Sequence, residues 1–100
     1  MSDFIYRRTG EPVAFRRGEY IYQLKDGRPI GQMHGTHVFT LSGHYIGELE
    51  HGVVVWKNLY HPDAAHAGNP GRQRPPIAPL RGIQESIPFE DVFPQLLSAE

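Results

Sequence analysis

Apolar and polar residues alternate through the first half of the chain in a unit that repeats. One copy spans residues 20–35, and the same landmarks recur in residues 4–18 and 37–52. Within this copy, alternation places Tyr20, Tyr22 and Leu24 on one face of a strand and Ile21 and Gln23 on the other. A run of β-branched, aromatic and polar residues with this period is typical of a β-strand.

Each unit predicts a β-hairpin, because a turn signal separates its two apolar halves. The turns carry glycine, which adopts positive φ at little steric cost: Thr9-Gly10, Asp26-Gly27 and Ser42-Gly43. A second set of glycines leads into the next hairpin: Gly18, Gly35 and Gly52. Very small residues follow the Val or Ile of each returning strand and indicate close backbone approach: Ala14, Gly31 and Gly47. We expect an antiparallel meander of seven strands through Lys57 that curls towards a barrel.

The second half of the chain has a different composition. Residues 61–82, here called the arm, are rich in Pro and Gly, which excludes a helix or a central strand. Residues 83–100 carry apolar side chains suited to docking, at Ile83, Ile87, Phe89 and Phe93, and residues 89–97 predict a short helical turn or two. The expected fold is all-β: a hairpin domain over 1–60, an extended Pro-rich loop over 61–82 and a docking tail over 83–100.

The hairpin units resemble a known family. Ile-Tyr followed by Asp-Gly-Arg-Pro-Ile-Gly and a further Gly, as in Ile21 to Gly35, is similar to the small bacterial proteins called four-fold β-flower proteins. The resemblance covers residues 4–58 and implies hairpins arranged like petals about an axis. It implies no catalytic residue. The turn from Asp26 to Gly31 also has a weaker likeness to PRC-barrel domains.

Composition removes several classes of protein. The 100 residues contain no cysteine, so a disulfide scaffold, a thiolate zinc site and a cysteine nucleophile are excluded. The formal net charge is -1, which argues against a generic nucleic-acid binder. We expect no membrane segment, because no apolar run approaches spanning length, and a cytoplasmic protein.

Histidine is the first candidate for chemistry, because imidazole is the commonest metal ligand. A zinc or nickel site could use His34, His37 and His51, with Asp26 or Glu50 as a carboxylate ligand. The spacing matches no familiar metal motif, so solvated turn histidines are the favoured interpretation and no cofactor is expected.

Two further groups of residues are candidates for binding. The first hairpin is basic through Arg7, Arg8, Arg16 and Arg17, whereas no Lys or Arg follows Arg81. These arginines suit a solvated edge strand, a contact with the acidic tail across subunits, or a phosphate backbone. The aromatic residues suit either a core or a stacking surface: Tyr20, Tyr22, Phe39 and Trp56.

No nucleophile elbow or acid–base pair is evident, so we expect a protein that is not an enzyme. The favoured function is a non-enzymatic assembly or ligand-binding module in a homo-oligomer. The arm docks either on its own barrel or, exchanged, on a neighbouring subunit. The alternatives are a histidine-based metal-binding protein and nucleic-acid binding through the basic hairpin.

Overall fold

The computed structural model describes residues 3–57, 59–79 and 88–98. Its elements are seven strands in the first half, then a short strand and a helix: β1 (Asp3–Tyr6), β2 (Pro12–Arg17), β3 (Tyr20–Gln23), β4 (Pro29–His34), β5 (His37–Thr40), β6 (Tyr45–Glu50), β7 (Val53–Trp56), β8 (Glu90–Asp91) and α1 (Phe93–Ser98). Among these residues no helix is long and apolar enough to cross a membrane.

All strands lie in one antiparallel sheet in the order β1-β2-β3-β4-β5-β6-β7-β8. The all-β prediction, its seven strands before residue 58 and its short terminal helix are therefore confirmed. The sheet curls until its first strand reaches the β6–β7 turn, where the amide of Tyr6 donates to the Gly52 carbonyl at 2.7 Å.

The sheet consists of four hairpins: β1–β2, β3–β4, β5–β6 and β7–β8. The first three have tight turns, with positive φ at Gly10, Gly27 and Gly43. In each, the register shifts at the same place, between Ile5 and Tyr6, Ile21 and Tyr22, and Val38 and Phe39. A β-bulge increases local twist, so the repeated bulge explains why the sheet curls. In the fourth hairpin, residues 57–89 connect β7 to β8 where the other three hairpins have a short turn.

The core lies on one face of the sheet and is closed by α1. Fully buried residues from successive hairpins meet there with the helix: Ile5, Ala14, Ile21, Met33, Val38, Val54, Phe93 and Leu96. A Cβ on Gly31 would lie 2.9 Å from the Phe39 carbonyl oxygen and 3.0 Å from a Leu96 methyl. The predicted close approach at Gly31 is thus confirmed.

Of the residues expected to dock, Phe93 is 1% exposed in the core, and Phe89 packs against Val53 and Val55. Ile83 and Ile87 lie outside the described residues. Burial of the aromatic set is confirmed for Tyr22 and Phe39, whereas Tyr20 and Trp56 are half-buried. Tyr22 and Phe39 are buried but lie on the opposite face, because Ile21 and Val38, their chain neighbours, occupy the core side of the pleat.

The turns between hairpins are not all alike. Gly18 and Gly35 occupy the first position of two-residue turns, with φ of 61° and 64°. In the β6–β7 turn the first position is His51, with φ of 50°, and Gly52 is second, with φ of 83°. A histidine therefore adopts the left-handed conformation that glycine adopts in the two other turns.

Candidate functional site

The face of the sheet opposite the core, here called the outer face, is crossed by the arm. The Tyr20 hydroxyl donates to the Ala67 carbonyl at 2.9 Å, and the Tyr6 hydroxyl donates to the Pro79 carbonyl at 2.8 Å. The described arm has no helix or strand of its own over residues 61–79. Its order comes from such contacts with the hairpins.

The arm also bonds to the hairpin turns through its backbone. The Ala64 amide donates to the Gly43 carbonyl at 2.8 Å, and the Gln73 amide donates to the Gly27 carbonyl at 2.9 Å. A Cβ on Gly43 or Gly27 would collide with the carbonyl of Ala64 or Gln73 respectively. Glycine is therefore favoured in these turns for two reasons. It adopts positive φ readily, and it leaves space for the backbone of the arm.

Gln32 is the central polar residue of this interface. Its side chain is almost fully buried, and its Nε2 donates to the carbonyls of Thr40 and Ala65, each at 3.0 Å. Because both oxygens only accept, the orientation of the amide is fixed, and Oε1 accepts from His34 Nε2 at 2.9 Å. One side chain thus joins two strands, the arm and a histidine.

A cavity of about 330 Å³ lies between the arm and the outer face. Gln32, His34 and Phe39 line it from the sheet. The arm lines the other side with small, polar and imidazole side chains: His61, Pro62, Asp63, Ala64, Ala65, His66 and Ala67. The Phe39 ring meets His34 at 66° and His61 at 75°, both edge to face, with ring centroids 5.4 and 5.6 Å apart.

Hydrogen bonds set the tautomers of the three histidines that line this cavity. His34 donates from Nε2 to Gln32, so Nδ1 of the neutral ring is an acceptor. His61 donates from Nδ1 to the Pro62 carbonyl at 3.0 Å, so its Nε2 is an acceptor. His66 accepts at Nδ1 from the Gly68 amide at 2.9 Å, so its Nε2 carries a proton. In these tautomers the three rings that line the cavity offer two acceptors and one donor beyond the bonds they already make.

The predicted metal ligands have other partners. His34 and His37 are cross-strand neighbours, but His37 Nε2 lies 3.2 Å from Glu48 Oε1, and His51 Nε2 lies 3.5 Å from Glu50 Oε1. Over the residues that the structure describes, no group of three or more His, Asp or Glu side chains is placed to hold a metal ion. The metal site stays a prediction without a ligand cluster in that part of the chain.

The four arginines of the first hairpin do not form one surface. Arg7 Nε donates to Asp91 Oδ2 at 2.7 Å, and the Arg8 amide donates to the same oxygen. Arg16 Nε donates to the Gly18 carbonyl at 2.8 Å. Arg17 contacts Gln73 of the arm at 3.3 Å and lies over the Phe15 ring. Arg7 and Asp91 join the basic hairpin to the acidic tail within one chain, and the contact across subunits stays a prediction.

Of the four candidate aromatic residues, Tyr20, Tyr22 and Phe39 lie outside the core cluster, and Trp56 packs against it. Tyr22 stacks on Phe15 with centroids 5.3 Å apart, and burial raises the pKa of its hydroxyl. Phe39 contacts Tyr45, and Tyr45 contacts Trp56 at 6.1 Å. Burial also raises the pKa of Tyr45, with the neighbouring Glu48 carboxylate adding to the effect. Of the four candidates, Phe39 lines the cavity beneath the arm.

Sequence reasoning missed most of the cavity. Gln32, His61, Asp63 and His66 were not singled out for binding. Gln32 alone had a usable signal, because a glutamine between Gly31 and Met33 in a strand with a bulky apolar neighbour suggests a buried, bonded amide. The arm residues had none, since their placement depends on contacts with carbonyl and hydroxyl groups that leave no pattern in the sequence.

Comparison with known proteins agrees with the repeat. No curated protein and no solved structure matches the chain. The family model described as "4-fold beta flower protein" matches residues 3–97, which includes the β8 strand and most of the helix as well as the three tight hairpins. The match thus extends over the fourth hairpin and its long insertion, and the chain belongs to the 4-fold beta flower protein family.

Proposed function

We propose that this protein is a non-enzymatic binding module whose ligand is a small planar heteroaromatic molecule, held in the cavity between the arm and the outer face. The observation that carries the proposal is the buried amide of Gln32, which fixes both the arm and the His34 ring at the wall of that cavity. A site with a rigid polar anchor and apolar walls is the usual form of a small-molecule pocket.

The shape and chemistry of the walls support a flat ligand. The exposed imidazole rings of His34 and His61 line the cavity and stand edge to face against the buried Phe39, and the alanines of the arm add little bulk. Flat rings bind aromatic side chains by stacking or edge contacts. The acceptors of His34 and His61 and the donor of His66 suit a ring that carries both N–H and bare nitrogen atoms.

The experiment is a titration of ¹⁵N-labelled protein with indole, benzimidazole and adenine, followed by ¹H–¹⁵N correlation spectra. We expect at least one probe to shift the Gln32 side-chain amide and the amides of Ala65 and Ala67. Ala65→Leu would fill the cavity from the arm while keeping the carbonyl that Gln32 binds. We expect it to weaken binding about tenfold or more, the equivalent of 1.4 kcal/mol.

Glu19→Leu is the matched control, because Glu19 is exposed in the β2–β3 turn and does not line the cavity. The proposal is overturned if none of the three probes binds, or if Ala65→Leu and Glu19→Leu bind equally well. Retention of zinc or nickel by the purified protein, lost on His34→Ala, would favour the histidine-based alternative instead.

Assembly is the second part of the proposal. The chain leaves β7 through Leu59 and Tyr60, which are 62% and 92% exposed, and this is where an exchanged arm would cross to a neighbour. We expect native mass spectrometry to show a homo-oligomer. A monomer at all micromolar concentrations would rule out both assembly and arm exchange.

A further inference from the structure

The arm carries a proline-rich segment that is fixed at both ends. Before it, Gln73 is bound to the β3–β4 turn through the Gly27 carbonyl and to Arg17 through its side chain. At its other end, the Pro79 carbonyl accepts the Tyr6 hydroxyl of the first hairpin. Residues 74–78 therefore span the distance between two hairpins.

The sequence of this span restricts its backbone. Residues 74–79 read Arg-Pro-Pro-Ile-Ala-Pro. Each proline fixes its own φ near -65°, and the helical region is disfavoured for the residue before each proline. These restrictions favour the polyproline II conformation, which has three residues per turn and no internal hydrogen bonds.

Most side chains of the span are displayed to solvent, and Pro76 and Ala78 are half-buried. Ile77 is 97% exposed, the most exposed large apolar residue among those the structure describes. Pro75 and Pro79 are exposed as well, and the positive side chains of Arg72 and Arg74 stand exposed on its amino-terminal side. An apolar, proline-locked segment flanked by positive charge is the type of ligand that aromatic-lined grooves bind.

We propose that residues 74–79 are a recognition segment for a partner protein with an aromatic-lined, proline-binding groove and an acidic rim, such as an SH3-type or WW-type domain. Pro76 and Pro79 have the spacing of a PxxP pair, and Arg74 supplies the charge. The two anchors hold the segment in the binding conformation before the partner arrives, which reduces the entropy lost on binding. This inference is independent of the cavity beneath the arm.

The test uses the full-length ¹⁵N-labelled protein and a panel of isolated SH3 and WW domains that covers both binding orientations. We expect one or more domains to shift the amides of Arg74, Ile77 and Ala78 and to leave those of β4 and β5 unchanged. Pro76→Ala with Pro79→Ala should weaken binding about tenfold or more, or 1.4 kcal/mol. Pro79→Ala keeps the carbonyl that Tyr6 binds, and Pro70→Ala, also in the arm, is the matched control that should bind normally.

A synthetic peptide of residues 72–82 shows whether a domain recognises the sequence alone or also its fixed conformation in the protein. We expect it to bind the same domain more weakly than the intact protein does. The proposal is overturned if no domain binds either form, or if a domain binds the peptide but not the intact protein. It is also overturned if single-stranded RNA, in a salt-dependent manner, shifts Arg72 and Arg74 while no domain does, since the segment would then bind phosphate.

Discussion

Arg7 and Asp91 form an ion pair that joins the first hairpin to the last strand, with Arg7 Nε 2.7 Å from Asp91 Oδ2. The same carboxylate accepts the Arg8 amide at 3.1 Å, and its other oxygen accepts the Phe93 amide at the start of α1, also at 3.1 Å. Asp91 thus holds the N-terminal hairpin, β8 and the helix together where the curled sheet closes.

Asp91→Ala should destabilise the protein much more than Arg7→Met. The aspartate change removes the acceptor of three donors, two of which are backbone amides, and we expect a loss of about 2–3 kcal/mol. Arg7→Met leaves the two backbone bonds intact and should cost about 1 kcal/mol or less. Urea denaturation followed by tryptophan fluorescence measures both.

Asp63→Ala is the control for the Asp91 prediction. Asp63 pairs with His44 at 3.4 Å and accepts the Tyr45 amide at 3.3 Å, but the side chains of His44 and Asp63 are largely exposed, so the change should cost about 1 kcal/mol or less. Equal losses for Asp63→Ala and Asp91→Ala would contradict the role given to Asp91.

Gln32→Glu should be more damaging than Gln32→Leu. The glutamate places an oxygen where Nε2 now faces the carbonyls of Thr40 and Ala65, so acceptor would meet acceptor in a buried site. We expect a loss of about 3 kcal/mol or more in thermal or urea unfolding, and a smaller loss for leucine.

Gln23→Glu is the matched control for Gln32→Glu, since Gln23 is half-buried at the end of β3. If Gln32→Glu were tolerated as well as Gln23→Glu at neutral pH, the assigned orientation of the Gln32 amide would be wrong.

His51→Gly should stabilise the protein. His51 has φ of 50°, a conformation that costs an L-residue about 1–2 kcal/mol and that glycine adopts readily. Loss of the exposed contact with Glu50 offsets part of the gain, which leaves about 0.5–1 kcal/mol and a higher Tm. His44→Gly, at a residue without positive φ, should lower the Tm, and a lower Tm for His51→Gly would refute the explanation.

Lys57 and Glu50 should govern part of the pH dependence of stability. A hydrogen bond from Lys57 lowers the pKa of Glu50, and the bonds with Glu50 and Glu48 raise the pKa of Lys57. The stabilisation is therefore present at neutral pH. It is lost as the pH falls through the lowered pKa of Glu50, and again as the pH rises through the raised pKa of Lys57.

Lys57→Met tests this pH dependence. The difference in free energy of unfolding between the wild-type protein and the variant should be largest near neutral pH. It should shrink in acid and in alkali. NMR titration of the Glu50 carboxyl carbon should show its pKa rising towards the ordinary value in the variant. Lys25→Met, in the exposed β3–β4 turn, should leave that titration unchanged.

Much of the fold could be predicted because the turns of three hairpins are recognisable from their local residues. Glycine at positions 10, 27 and 43, with alternation on either side, defines strands and register locally. The fourth hairpin gives no such signal: β8 is only Glu90–Asp91, and a long insertion separates it from β7. Its pairing depends on distant contacts, such as that of Asp91 with Arg7.

The face that carries the core could not be chosen from alternation alone. Ile21 and Tyr22 are equally suited to burial, and both are buried. Ile21 lies in the core with α1, whereas Tyr22 lies on the outer face. A sequence pattern shows that a strand has two faces, but it does not show which segment of the chain packs on each face.

The insertion in the fourth hairpin also sets an order of assembly. Strands β1 to β7 pair only with sequence neighbours, so their contacts close short loops and form early. The pairing of β8 with β7 must close a loop of residues 57–89, at a greater entropic cost. During synthesis the first seven strands can therefore pair on the ribosome while the core face still lacks its helix, and residues 90–98 cover that face once they have emerged.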